Sequence, residues 1–387
     1  MRIGILASHP IQYQVAWFRR LAETIDLTVF FAHRQTATGQ AAAGFGVPFD
    51  WDVDLLSGYR HVFLRNISSS PSVDHFNGCD TPEIAGIIQQ ENFDAFIVSG
   101  WYLKSFLQAT AGCRSAGTPV LVRGDSHLRT PQPWLKKLTK EITHRALLRR
   151  FDGFLYVGRR NAEYLRHYGA PEERMFFVPH FVDNAWFAAG ARETVAERGS
   201  LRDSWGAGPE TLVALFVGKL AEHKRPSDLL HALAAGPDKN AIAVFVGSGN
   251  LENDLRRQAS DLGVGVVMAG FKNQSELPVV YSSGDVLVLP SRETWGLVVN
   301  EAMACGCPSI VSSEAGCLPD MIEEHETGFS YPFANTHGLM ERLSLVVRKR
   351  NAGHDWGPAL NRKLETFSPE TAAAGTIEAV RKLTGAG

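Results

Sequence analysis

Residues 286–304 read VLVLPSRETWGLVVNEAMA, and three kinds of segment follow one another in them. Val286–Leu289 is a continuous apolar run of strand length. Pro290–Gly296 holds the turn formers and polar side chains of a loop, and Leu297–Ala304 reads as a helix. A strand with no polar alternation belongs to a parallel sheet covered on both faces. The same unit recurs on either side. Upstream lie strands at Val213–Val217, Ala241–Val246 and Val266–Ala269, with helices at Pro226–Ala234 and Leu251–Leu262 between them. Downstream lie a strand at Pro308–Val311 and a helix at Leu318–Glu323. An earlier series has strands at Ile3–Ala7, Leu27–Phe31, Ala95–Ser99, Pro119–Arg123 and Gly153–Val157, with helices at Val15–Glu23 and Trp134–Arg150. Two series of one rhythm, without a short-period repeat, predict two α/β domains rather than a solenoid. The 387 residues agree, since one core stops growing at about 250–300 residues. The expected division is 1–183, a linker over 184–209, 210–367, and a last helix in 368–387 that could pack back on the first domain.

Composition excludes several classes. A net charge of −2 is not that of a nucleic-acid binder. Residues 1–183 carry 20 Lys and Arg against 17 Asp and Glu, whereas the remainder carries 19 against 24, so the first half is the more basic. The five cysteines form no pattern of zinc spacing, and no secretory signal or membrane span is evident, so reduced thiols and a cytoplasmic location are expected.

In open parallel α/β sheets the loops after the strands hold the ligand, and four such loops carry chemistry here. Gly218-Lys219-Leu220 is followed by Lys224, and paired ammonium groups suit phosphate oxygens, although a solvated basic loop would look the same. Gly247-Ser248-Gly249 is a tight strand-to-helix turn and is weak evidence alone. Glu293 and Glu301 stand eight residues apart, too far to share a proton, and carboxylates accept well from sugar hydroxyls. Gly316-Cys317-Leu318 opens a short helix, where backbone N–H groups bind phosphate.

In this order and context the motifs resemble glycosyltransferase family 4, retaining enzymes of the GT-B fold, over roughly residues 210–335. The resemblance implies two Rossmann-like parallel-sheet domains facing across a donor and acceptor cleft. It gives Lys219, commonly an arginine in that family, and Lys224 to the donor diphosphate. Glu293 would hold hydroxyls of the transferred sugar and Glu301 the ribose. Backbone near Gly218 and Gly247, with amides at Gly316, Cys317 and Leu318, would complete the phosphate cradle. The nucleobase would pack near Gly270, Phe271 and Lys272.

The first half is less legible. His127 follows a strand in the run Arg123-Gly124-Asp125-Ser126-His127, where family members place a histidine facing the donor sugar; Asp125 or Arg123 would serve equally as the residue pointing inward. Relatives often carry a glycine-rich loop after the first strand. This sequence instead offers His9, Gln12 and Tyr13, side chains able to meet donor or acceptor. The run Asp50–Tyr59 resembles a segment of some family members; its residues dictate no role, and an acceptor-side loop or a packed excursion would both fit. Within residues 134–150, Trp134, Leu135, Leu138, Ile142 and Ala146 cluster on a helical wheel, opposite Lys136, Lys137, Lys140 and His144. Six basic residues face one acidic residue there. The pattern fits a helix packed on the core with a solvated face, or a peripheral contact with an anionic membrane on its inner side.

The reading is therefore a retaining, metal-independent hexosyltransferase. It would take a nucleotide diphosphate sugar, a UDP-sugar before a GDP-sugar, as co-substrate with no cofactor. It would act on a glycan or lipid-linked acceptor in cell-envelope or exopolysaccharide biosynthesis. A nucleotide-sugar epimerase of similar architecture would turn over without acceptor, and a non-catalytic sugar-nucleotide-binding module would have no need of Lys224 and Glu293.

Overall fold

A computed structural model describes residues 1–40, 48–129, 133–236 and 240–385. The chain divides into two units. The first comprises residues 1–36, 54–181 and 368–387, and the second residues 37–53 and 182–367.

The first unit is built on a seven-stranded parallel sheet of order β3-β2-β1-β4-β5-β6-β7. Its strands are β1 (Arg2–Ala7), β2 (Asp26–Phe31), β3 (Arg60–Phe63), β4 (Ala95–Val98), β5 (Val120–Gly124), β6 (Gly153–Tyr156) and β7 (Met175–Phe177). Alternate residues of each strand point to opposite faces. Ile3, Ile5 and Ala7 therefore join Val29, Phe31 and Ile97 in one buried cluster, while Leu6 joins Phe30, Phe96 and Val122 in the other. Both faces are covered, which is why the strands read as unbroken apolar runs. The helix Pro369–Thr384 closes the first of these faces with Ala372, Ala373, Ala379 and Val380. On the same face Trp17 donates its indole N–H to the Thr376 hydroxyl (3.2 Å).

The second unit has a six-stranded parallel sheet of order β10-β9-β8-β11-β12-β13. The strands are β8 (Leu212–Val217), β9 (Ala241–Val246), β10 (Gly265–Gly270), β11 (Val286–Leu289), β12 (Ser309–Ser312) and β13 (Gly328–Tyr331). Each sheet runs outward in one direction from its first strand and then reverses. The first strand and the fourth are neighbours, and that junction is where doubly wound sheets bind ligand.

Two expectations need correction. Residues 184–209, expected as a linker, carry the helices Asn184–Glu193 and Glu197–Ser204 and group with the second unit. Asp183 caps the first by accepting from the Trp186 N–H (3.0 Å), and Phe187 and Ala191 are its buried residues. The second helix buries no residue and is fastened by Arg202, which donates to the carbonyls of Ser283 (2.9 Å) and Thr211 (2.7 Å). Two buried side chains and a polar anchor leave no apolar stripe to read. Second, the first-half excursion 37–53 groups with the second unit rather than with the residues flanking it. Among the described residues no helix is long and apolar enough to cross a membrane.

Candidate functional site

The junction of β8 and β11 gathers the motif residues of the second unit. Lys224, in the turn after β8, donates its ammonium to both carboxylate oxygens of Glu293, in the loop after β11 (2.6 and 2.9 Å). The Ser291 hydroxyl also donates to Glu293. The pair is partly buried, with about a fifth of each side chain reached by solvent. It sets a cation and a carboxylate side by side at the junction: one suits phosphate oxygens, the other hydroxyl donors.

Local chemistry explains the loop. Trp295 is buried and donates its indole N–H to the Asn300 side chain (2.9 Å), pegging the loop to the helix Val298–Ala304. Gly296 turns between them with φ +112°, a region that side chains rarely enter. Behind the turn, Arg225 chelates Asp228 (2.7 and 2.8 Å) and lies over the Phe333 ring, as does Arg292.

The glycine loops lie backbone to backbone across the sheet edge. Gly218 N–H donates to Val246 O (2.9 Å), Leu220 N–H to Ser248 O (2.9 Å), and Gly247 N–H to Gly270 O (2.8 Å). A Cβ on Gly247 would stand 2.1 Å from Gly218 O, so glycine is required by the close approach as well as by φ +132°. Lys219, between these loops, is half-buried.

Glu301 is placed differently from Glu293. It is 8% exposed and accepts from the Tyr281 hydroxyl (2.6 Å). Burial pushes its carboxyl up to about 7, and Tyr281's hydrogen bond works against that rise. Lys272 pairs with Glu276 (2.8 Å), and Phe271 meets the Phe49 ring at 4.5 Å.

The amides expected to be open for phosphate at Gly316, Cys317 and Leu318 are already engaged. Gly316 N–H donates to Glu293 O (2.9 Å), Cys317 N–H to Trp295 O (3.0 Å) and Leu318 N–H to Ala315 O (3.2 Å). The loops after β11 and β12 pair there as a short parallel bridge, Glu293 with Ala315. A Cβ on Gly316 would lie 1.8 Å from Thr294 O. Gly316 thus lets one loop seat against the other, beside Glu293.

In the first unit the strand ends gather a separate polar set. Arg123 is buried and donates to Pro179 O (2.8 Å), and burial lowers its guanidinium to about 10. Asp125 approaches His180 Nε2 at 3.8 Å, and Tyr13 meets the His180 ring edge to face. Burial, with Asp125 assisting, raises the Tyr13 hydroxyl to about 12, and burial lowers the buried His180. His127 is buried, its Nδ1 accepting from Arg129 N–H (3.1 Å). His9 bonds the Ser8 hydroxyl (3.0 Å) and is lowered to about 4 by burial and then by His33. Gln12 opens the helix Gln12–Ala22 and is half-buried. Sequence reasoning missed His180, Tyr281 and Ser291. His180 follows a strand of three residues, too short to mark a loop as functional, whereas Ser291 stood two residues from Glu293 in the motif itself.

The helix Trp134–Leu148 packs in the reverse sense to its pattern. Lys140 lies over the rings of Tyr164 and Tyr168, and His144 packs on Trp101 and the same tyrosines. The apolar side faces outward: Trp134 is 69% and Ile142 75% exposed, with Leu135 and Leu138 also exposed. The face of Trp134, Leu135, Leu138 and Ile142 is therefore not packed on the core, which the helix meets instead through Leu147 and Leu148 at its end. The side chains of Lys136 and Lys137 are outside what the structure describes.

The family model "Glycosyl transferases group 1" matches residues 197–362, and "Glycosyl transferase 4-like domain" matches residues 11–180. A D-inositol 3-phosphate glycosyltransferase of Streptomyces bingchenggensis is 32% identical over 231 residues, 56% of this chain and 49% of that protein. A sulfoquinovosyl transferase of Arabidopsis thaliana is 32% identical over 163 residues, 41% and 31% of the two chains. The chain thus spans about half the length, or less, of these curated relatives. Among solved structures, Anabaena HepE in complex with UDP superposes with TM-score 0.74 at 15% identity, covering 98% of this chain and 99% of that one. A glycosyltransferase from Rickettsia africae superposes with TM-score 0.75 at 13% identity, covering 100% and 99%. At such identities the likeness is one of fold.

Proposed function

Because this chain belongs to glycosyltransferase family 4 and has its two Rossmann-like GT-B domains, we propose that it is a retaining hexosyltransferase using a nucleotide diphosphate sugar, with UDP as the favoured nucleotide. The observation that carries the reading is the Lys224–Glu293 pair, which joins the two loops at the reversal point of the second sheet. Lys224, with Lys219, takes the diphosphate, and Glu293 takes hydroxyls of the sugar. As the bond from the anomeric carbon to the phosphate oxygen breaks, negative charge grows on that oxygen, where fixed ammonium groups stabilise it most. The acceptor hydroxyl bonds to the anomeric carbon on the same face and gives its proton to the departing phosphate, so configuration is retained. No step needs a metal. His127 is assigned to the sugar by the family resemblance, and the Tyr13, Asp125 and His180 set to the acceptor.

A glycan or lipid-linked acceptor of the cell envelope or an exopolysaccharide fits a cytoplasmic enzyme that touches a membrane. What supports the contact is the outward apolar face of Trp134–Leu148 beside Arg145, Arg149 and Arg150.

The test is thermal unfolding against a metal-free panel of nucleoside diphosphates and their sugars. One diphosphate should raise Tm by several degrees in the wild type and by none in Lys224→Ala. If no nucleotide moves Tm, the donor site is misassigned.

A further inference from the structure

The excursion from the first half of the sequence ends in Phe49-Asp50-Trp51-Asp52, and these residues grip one turn of the second unit. Phe49 packs its ring on Phe271 at 4.5 Å with an interplanar angle of 40°, and Trp51 meets Phe49 edge to face at 4.9 Å. Between and after them the contacts are polar. Asn273 donates its side-chain amide to Asp50 O (2.8 Å), and Asp52 accepts from Ser275 through both the backbone N–H (3.2 Å) and the hydroxyl. Rings and hydrogen-bonding groups thus alternate along these four residues, which form a strap over the turn.

The gripped turn is not an arbitrary surface. It begins at Gly270, whose carbonyl is bonded by Gly247, and so continues the row of glycine loops from the β8 end. It is closed by a capping box between Asn273 and Glu276, then runs into the helix Leu277–Ser283. That helix carries Tyr281, the donor to Glu301. The strap therefore lies at the start of the segment whose Tyr281 hydrogen-bonds Glu301, the residue that the resemblance gives to ribose. Phe49, Trp51 and Phe271 are each half-buried, so part of this aromatic surface remains open to solvent. The exposed part of such rings can take a planar or apolar partner.

Resting on the donor reading above, we propose that Phe49 belongs to the nucleobase subsite, where it and Phe271 form the aromatic surface on which the base stacks. Asp52 is a positioning residue that holds the Gly270–Glu276 turn in place for it. Stacking tolerates any base, so the strap contributes affinity for the nucleoside part of the donor and none for its phosphates.

Calorimetric titration of the full chain separates these contributions. Uridine diphosphate is compared with ribose 5-diphosphate, which has the same phosphates and sugar but no base. Phe49→Ala should weaken uridine diphosphate by about tenfold, as loss of one stacking contact does, and leave ribose 5-diphosphate unchanged. Phe49→Trp should restore binding, which shows that the variant site is folded. Asp52→Ala should weaken uridine diphosphate by a smaller factor. Equal loss for both ligands in Phe49→Ala, or no loss for either, overturns the inference while leaving the donor site intact. If the wild type binds no nucleoside diphosphate, the donor reading fails and the inference falls with it.

Discussion

Glu301 is a carboxylate that the fold holds nearly out of water, with Tyr281 and Cys305 as titratable neighbours. Both keep their protons at neutral pH, because burial raises each of them, and among the described residues Tyr281 alone is seen to offset the burial of Glu301. Its folded value of about 7 exceeds the ordinary 4.5. The folded state therefore binds the proton more tightly than the unfolded chain, and stability falls as pH rises from 4.5 to 7. The full cost is of order 3 kcal/mol. Urea unfolding should show the wild type losing stability across that window and Glu301→Gln losing correspondingly less. Matching pH profiles for the two proteins would assign the titration to another group. Glu293 differs in kind, because Lys224 and Ser291 meet its charge with donors. Two glutamates of one motif thus have different electrostatic lives, and spacing alone would not have told them apart.

The same contrast runs through the elements. Strands buried on both faces were legible, and Ala241–Val246 and Val286–Leu289 lie where their apolar runs end. The motif loop was legible because Glu293, Trp295 and Gly296 each answer a local need: a partner, a peg and a turn. Features decided by contacts between distant segments were not. The amides of Gly316 and Cys317 are taken by a neighbouring loop, a contact that their own local sequence does not show. The helix Trp134–Leu148 turns Lys140 and His144 inward because tyrosine rings accept a cation and an imidazole, a preference no hydrophobic period encodes. Its outward face leads to a prediction. The protein should co-sediment with vesicles rich in anionic lipid at low salt, more weakly at high salt. Trp134→Ser combined with Ile142→Ser should reduce that binding without lowering Tm, since both side chains are already exposed. Indifference of the wild type to such vesicles would remove the membrane from the proposal.

For the molecule as a whole, the first unit is discontinuous. Its sheet is strung from residues before 182, yet one face is covered by Pro369–Thr384. Gly375 sits so close to Phe177 O that a Cβ there would stand 2.1 Å away. Removal of residues 369–384 uncovers Trp17 and Phe181 along with the helix's own apolar side chains. At about 1.5–3 kcal/mol for each large side chain, that loss rivals the 5–15 kcal/mol stability of a whole domain. The truncated chain should lose the cooperative unfolding of the first unit while the second still responds to nucleoside diphosphate. A first unit that unfolds with unchanged Tm would show that the helix is dispensable.

This arrangement also sets a timetable. A ribosome delivers residues in order, and domains ordinarily fold as they emerge. Here the sheet that is synthesised first waits for a segment made after the entire second unit. During that interval Trp17 and its neighbours lack their cover, and the second unit, whose residues 37–53 and 182–367 have all been made by then, is the first able to reach its native state.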